Sequence, residues 1–233
     1  MIDNLSEPVV DLDIDKGYYF SFIVDSIDKY QADMNIMDEW AKGGAEDLKV
    51  KVDNEILAYI PGAIASSNKG IAAGVETSKY NLGTTGSAVA ITTSNAMRQF
   101  TNLKTVLDES NVPKEGRWVV IPPWYENALQ NSDLKNASFS GLDKSLILRG
   151  FIGEISGFKI FVSNNLTSVS DTDTCWNIVA GHKCALTFAS QIIISRTMTD
   201  AKVLGEIVQQ VQVYGRELIK TDGAAVLYCK DNT

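Results

Sequence analysis

Histidine is nearly missing from this sequence, at one residue in 233, and cysteine and proline are scarce at three and five. With so few soft or imidazole ligands, a histidine- or thiolate-rich metal centre has almost nothing to be built from. Cys175, Cys184 and Cys229 are odd in number, widely spaced and set among apolar residues, which speaks against a disulfide framework and for buried, reduced thiols in a reducing compartment. No run of about eighteen apolar residues occurs, so no helical membrane span is expected. The N-terminus is acidic where a secretory signal would be basic and then apolar. Basic charge is also in deficit: 21 lysines and arginines stand against 29 acidic residues, a formal net charge of −8 spread along the chain. Affinity for nucleic acid phosphates comes from counterions displaced by a basic surface, so a sequence-reading DNA binder is not expected. The same charge suits a surface that lies near nucleic acid without adhering to it.

What is present is 45% hydrophobic residues, enough to bury one or two ordinary cores in a globular protein. The dominant element is one long amphipathic helix from Ser26 to Ile60. Its apolar positions Met34, Met37, Ala41, Ala45, Leu48, Val52, Ile56 and Tyr59 recur at three or four residues. Between them stand Asp33, Asp38, Glu39, Lys42, Glu46, Asp47, Lys49, Lys51, Asp53 and Glu55. Asp25 or Ser26 can cap its start, and Pro61-Gly62 is expected to stop it. At ~1.5 Å per residue such a helix is about 50 Å long. A coiled coil is the alternative, but Gly43-Gly44 and the small residues near them favour a bent helix packed on a sheet.

Ahead of the helix, Val9–Val24 has the pattern of a hairpin. Val10, Leu12 and Ile14 alternate with Asp11, Asp13 and Asp15, Lys16-Gly17 makes the turn, and Tyr18–Val24 returns as an aromatic strand. Three alternating aspartates could suggest calcium, yet carboxylates spaced by two along a strand fan out in a row and do not converge. A solvated face, or one turned to a neighbouring chain's lysines, is expected. Behind the helix, Gly62–Ser94 is rich in small residues, has neither P-loop nor Rossmann spacing, and marks the expected boundary between two lobes.

A second helix is expected from a Ser94 cap to Asn111, burying Ala96, Met97, Phe100, Leu103, Val106 and Leu107. A strand over Trp118–Ile121, the Pro122-Pro123 break and a helix over Trp124–Leu129 follow, an order that implies mixed α/β packing. Strands are expected at Glu154-Ile155, at Phe158–Val162 after a Ser156-Gly157 turn, and at Trp176–Ala180. His182–Ile194 fits helix or strand. Val208–Tyr214 alternates, Gly215 is expected to break it, and Leu218-Ile219 with Ala224–Tyr228 close the chain.

Candidate chemistry is thin. His182 lies two residues from Cys184, the spacing of a thiol and its base or of half a metal site, but no motif around them supplies an oxyanion site or further ligands. Asp171 and Asp173 could do acid-base work, although the loop "SDTDT" more often makes a turn. No catalytic, cofactor-binding or metal residue is assigned.

Four blocks in order, "LDIDKGYYFSFIVDSIDKYQ" (Leu12–Gln31), "GRWVVIPPWYENAL" (Gly116–Leu129), "GEISGFKIFVSNNL" (Gly153–Leu166) and "GHKCALTFASQI" (Gly181–Ile192), resemble tailed-bacteriophage major capsid proteins of the Hong Kong 97 type. The resemblance implies an α+β fold with a long spine helix, a peripheral β-sheet, an extended β-hairpin loop and an α/β axial domain. It maps residues 1–25 to the extended loop, 26–85 with 205–233 to the peripheral domain, and 86–204 to the axial domain. Family members carry an N-terminal arm and a first loop strand where few residues stand here, so either the chain is a fragment or the arm is dispensable. Some relatives join subunits through lysine-asparagine crosslinks; Lys16 is a candidate without a local signature for that chemistry.

The function implied is a non-enzymatic shell subunit that self-assembles into pentamers and hexamers of an icosahedral head enclosing double-stranded DNA, without sequence-specific binding. Scaffolding and portal proteins are implied partners; membrane and cofactor are not. The location implied is the virion, and the host cytoplasm during assembly. Inter-subunit contact is expected from Asp11, Asp13 and Asp15 by charge and from Tyr18, Tyr19, Phe20 and Phe22 by apolar area. An encapsulin-like compartment shell is the alternative. A ring-forming tail or head-completion protein and a soluble α/β enzyme using Cys184 and His182 are more distant ones.

Overall fold

A computed structural model describes residues 11–25, 36–132, 154–199 and 205–232. In chain order the elements are β1 (Lys16–Asp25), α1 (Ile36–Ala63), β2 (Val89–Ile91), α2 (Ala96–Glu109), β3 (Arg117–Ile121), α3 (Pro123–Gln130), β4 (Glu154–Ile155), β5 (Phe158–Val162), β6 (Ser168–Ser170), β7 (Thr174–His182), β8 (Leu186–Thr199), β9 (Gly205–Leu218) and β10 (Ala224–Asp231). They fall into two compact units, residues 1–52 with 187–219 and residues 53–186 with 220–233.

The first unit is built on a three-stranded sheet in the order β1-β9-β8. β1 runs antiparallel to β9 in unbroken register from Lys16 opposite Tyr214 to Asp25 opposite Gly205. This corrects the hairpin expected over Val9–Val24. Residues 11–15 carry no strand, and the aromatic strand takes its partner from far along the chain. Val9 and Val10 lie outside the described residues. Gly215 does not break β9 as expected; it stays in the strand because the backbone carbonyl of Asp13 passes where a Cβ would sit.

Alternation along β1 sorts its side chains. Tyr18, Phe20, Phe22 and Val24 are half-buried or buried, whereas Gly17, Tyr19, Ser21 and Ile23 are exposed. On the inner face Phe20 lies over Gly44 of α1, where an added Cβ would meet the ring at 3.0 Å. Phe22 meets Trp40 edge-on with ring centres 5.8 Å apart, and Tyr18 stacks on Tyr214 at 6.1 Å. Gly44 therefore serves a close approach of helix to sheet.

Within α1 the expected stripe holds. Leu48, Val52 and Ile60 are buried, Ala41, Ala45, Ile56 and Tyr59 are half-buried, and the charges from Asp38 to Asp53 face outward. The stretch 26–35 lies outside the described residues. The helix passes Pro61 and ends at Ala63, because a proline near the last turn removes one backbone donor without halting the final residues.

The second unit carries a mixed sheet in the order β2-β10-β7-β3-β5-β4, with β6 paired to β7. β3 is parallel to β5 and antiparallel to β7; β10 is parallel to β2 and antiparallel to β7. The expected Ser156-Gly157 turn joins β4 to β5 with both residues at positive φ. The stretch 182–194, open between helix and strand in the sequence, forms the end of β7, a turn and most of β8. Helix α2 packs its apolar side into a core that includes Phe100, Leu103, Val106, Tyr125, Phe158 and Leu227. Its N-cap position is Asn95 and not Ser94; the Asn95 side chain makes no bond to the first-turn amides and instead ties down the preceding turn, accepting from the Thr92 amide and donating to the Ala90 carbonyl, each at 2.8 Å. Gln99 is buried where Met97 was expected. The helix gives out at a left-handed Asn111.

Two polar anchors hold this unit. Asn68 is fully buried in the segment after α1. Its amide donates to the carbonyls of Asp222 (2.8 Å) and Ala224 (3.0 Å), and its oxygen accepts from the hydroxyls of Ser67 (3.3 Å) and Ser110 (3.0 Å). Arg117, only 1% exposed, opens β3. Its guanidinium donates to Asp108 Oδ1 (2.7 Å) and to the carbonyls of Val112 (2.6 Å), Pro113 (2.9 Å) and Lys104 (3.5 Å), tying the C-terminal half of α2 to the segment that follows it. Replacing Arg117 with leucine leaves Asp108 and these carbonyls without their donor and should lower the unfolding free energy by about 3 kcal/mol in urea titration. A change within ~0.5 kcal/mol would contradict this role.

Candidate functional site

Each expected contact residue has a definite place. Asp11, Asp13 and Asp15 are exposed and lie ahead of β1, not on a strand. Asp15 pairs with Lys16 at 3.1 Å. Tyr18, Phe20 and Phe22 are committed to the inner face against Tyr214, Gly44 and Trp40. Tyr19 points the other way and is 72% exposed, with Ile23 beside it on the same face at 48%. Ile23 was missed by sequence reasoning; the period of two from Tyr19 was the signal that could have found it. β1 is also an edge strand, paired on one side only among the described residues. An edge strand with exposed aromatic and aliphatic side chains is a surface that proteins ordinarily cover or pair.

The residues weighed for chemistry serve the fold. His182 Nε2 lies 2.9 Å from the Glu115 carbonyl, which can only accept, so this nitrogen carries the proton. Nδ1 then accepts the Cys184 backbone N–H at 3.2 Å and lies 2.8 Å from Cys184 Sγ. The imidazole is buried and bridges the turn between β7 and β8 to the segment before β3. Cys184 is exposed, which corrects the expectation of a buried thiol, whereas Cys175 and Cys229 are buried and burial pushes the Cys229 thiol well up. A cleft of about 570 Å³ in the second unit is lined by Ser66, Ser67, Ser78, Glu109, Ser110 and Asp222 among others, and neither His182 nor Cys184 reaches it. Among the described residues no group of histidine, cysteine and carboxylates could hold a metal, and no helix is long and apolar enough to cross a membrane.

Asp171 and Asp173 act separately. Asp171 accepts the Gly86 amide at 2.6 Å, the Thr172 amide at 3.0 Å and the Tyr228 hydroxyl at 3.3 Å. Asp173 pairs with Lys230 at 2.6 Å. The Gly86 hydrogen bond is the main cause that holds the Asp171 carboxyl below its ordinary value.

Among the described residues no active site is assembled, and the edge strand β1 carries exposed apolar side chains. The phage capsid protein family matches residues 8–227. The chain belongs to that family. A solved structure from Mycobacterium phage Che8 is 28% identical, with a TM-score of 0.74 over 97% of this chain and 75% of that one. The capsid structure of cyanophage P-SCSP1u matches at 15% identity and a TM-score of 0.67, covering 100% of this chain and 80% of the other. The holo-SrpI encapsulin complex from Synechococcus elongatus is 13% identical with a TM-score of 0.54, over 91% and 72% of the two chains, a likeness of fold alone. No curated protein matches by sequence. This capsid subunit has the α+β Hong Kong 97-type fold, and it is a major capsid protein, a structural component of multimeric viral shells.

Part of the capsid subunit's acid response follows from Asp171. A lowered folded value means stability that is present above the unfolded carboxyl value near ~4 and is lost as pH falls through the folded one. Asp171→Asn should flatten the acid limb of the Tm-against-pH profile; an acid limb identical to wild type would contradict the linkage.

Proposed function

We propose that the subunit assembles into pentamers and hexamers of an icosahedral head that encloses double-stranded DNA, and that the outward side of β1 carries part of the contact between subunits. The observation that carries the second part is the exposure of Tyr19 and Ile23 on an edge strand, preceded by the exposed, non-strand acidic row Asp11, Asp13 and Asp15. A heterologous contact of this kind repeats around a ring and closes it. Tyr18, Phe20 and Phe22 support the contact indirectly, by fixing β1 on α1 and β9.

In this reading residues 1–25 belong to the extended loop, with β1 as its base anchored on β9, 26–85 with 205–233 form the peripheral domain and 86–204 the axial domain, with β10 shared because it pairs with β7. Scaffolding and portal proteins are the partners during assembly in the host cytoplasm. The packaged DNA meets a subunit of net charge −8, which favours enclosure without tight adhesion. Catalysis has no part in it.

Paired substitutions separate assembly from folding. Tyr19→Ser with Ile23→Ser should reduce particle yield in sedimentation while the thermal unfolding temperature stays within a few degrees of wild type. Phe20→Ser, which empties the contact over Gly44, should lower stability by about 3 kcal/mol. Normal particle yield from the Tyr19 and Ile23 double variant would contradict the assignment.

A further inference from the structure

The outward face of the three-stranded sheet carries a polar strap that sequence reading did not single out. Arg196 of β8 donates from Nε (3.0 Å) and from an Nη (2.9 Å) to one neutral oxygen, Gln209 Oε1 of β9. Gln209 Nε2 in turn donates to Ser21 Oγ of β1 at 3.3 Å. Ser21 stands between Tyr19 and Ile23, and Gln209 faces it in the register. The strap therefore crosses all three strands on the side where Tyr19 and Ile23 are exposed. Ile194 and Met198 flank Arg196 two residues away and are 45% and 40% exposed. Arg196 is held in position with no carboxylate partner among the described residues.

The same unit displays its complement elsewhere. Asp11 and Asp13 are exposed and form no ion pair among the described residues. They cannot reach their own Arg196. The backbone of Asp13 passes Gly215, whereas the guanidinium is tied to Gln209, six residues back along β9 or about 20 Å at ~3.3 Å per residue. Asp11 and Asp13, without an ion pair among the described residues, and a fixed arginine lying apart from them on one subunit match when two copies meet head to tail. That is the geometry of a heterologous contact, in which the two partners use different patches.

We propose that the Arg196–Gln209–Ser21 face is the docking surface for a second copy of this chain, whose Asp11 and Asp13 pair with Arg196 while its apolar neighbours cover Tyr19 and Ile23. The inference rests on the shell-forming function proposed above and names the receiving patch. Held in place by Gln209, the guanidinium loses little freedom on pairing, so the contact sets orientation as well as strength.

The test is a charge swap in the full chain, read as particle yield by sedimentation and electron microscopy, with circular dichroism and Tm confirming folded subunits. Arg196→Glu alone, and Asp11→Lys with Asp13→Lys, should each cut the yield at least about fivefold. The variant carrying all three changes should return to within about twofold of wild type, since only the sign of the pairing is exchanged. Arg196→Gln, which keeps a polar side chain but removes the charge, should fall between. If wild type assembles and Arg196→Glu assembles equally well, the docking surface is overturned and the shell function stands. Defective single variants without rescue overturn it as well. A wild-type chain that forms no particles overturns both.

Discussion

The pairing of β1 with β9 is the constraint on which the rest of the first unit depends. Ten residues near the start of the chain lie antiparallel to ten near its end, in a register without a bulge from Lys16–Tyr214 to Asp25–Gly205. The entropic cost of closing so long a loop grows only with the logarithm of its length, so distance in sequence is a weak objection to such a pairing. Register is the strong specification, because a slip of one residue would carry every side chain of β1 to the opposite face. Tyr18, Phe20 and Phe22 would then leave Tyr214, Gly44 and Trp40, and Tyr19 with Ile23 would be forced inward. The pairing thus decides which aromatics hold the subunit and which stay exposed on its surface.

This division explains how a protein with little conventional chemistry can have a defined function. His182, Cys184, Asp171 and Asp173 all had spacings that invite catalytic or metal-binding readings, and each is occupied in tying a turn or a strand end. The buried polar groups Asn68 and Arg117 are likewise satisfied by carbonyls and neighbouring side chains, as buried polar groups must be. What the described residues leave uncommitted is surface: an apolar edge strand, a positioned arginine and the exposed Asp11 and Asp13. Under the proposed function, these are the patches that copies of the subunit would bury against one another.

Much of the fold was legible because it depends on local period. The stripe from Ala41 to Tyr59, the buried side of α2 and the Ser156-Gly157 turn each follow from spacing of a few residues. The partner of β1 was not legible, since alternating Asp11–Asp15 beside Lys16-Gly17 mimics the first arm of a hairpin, and nothing local points to residue 205. Gly215 misled for a similar reason: a glycine that admits a neighbouring backbone looks in sequence like one that ends a strand. Arg117 and Asn68 carry no motif at all, because their meaning lies in carbonyls supplied by distant segments. Of the seven expected contact residues, the exposed Tyr19 and the three aspartates keep surface positions, and the three inward aromatics follow from a register that local pattern did not reveal.

Self-association is the claim that the rest serves, and the size distribution of the purified full chain tests it most directly. Analytical sedimentation paired with electron microscopy should show closed shells of megadalton mass built from one kind of subunit. A chain that stays monomeric at high concentration across salt and pH, with a folded circular dichroism spectrum, would contradict the account.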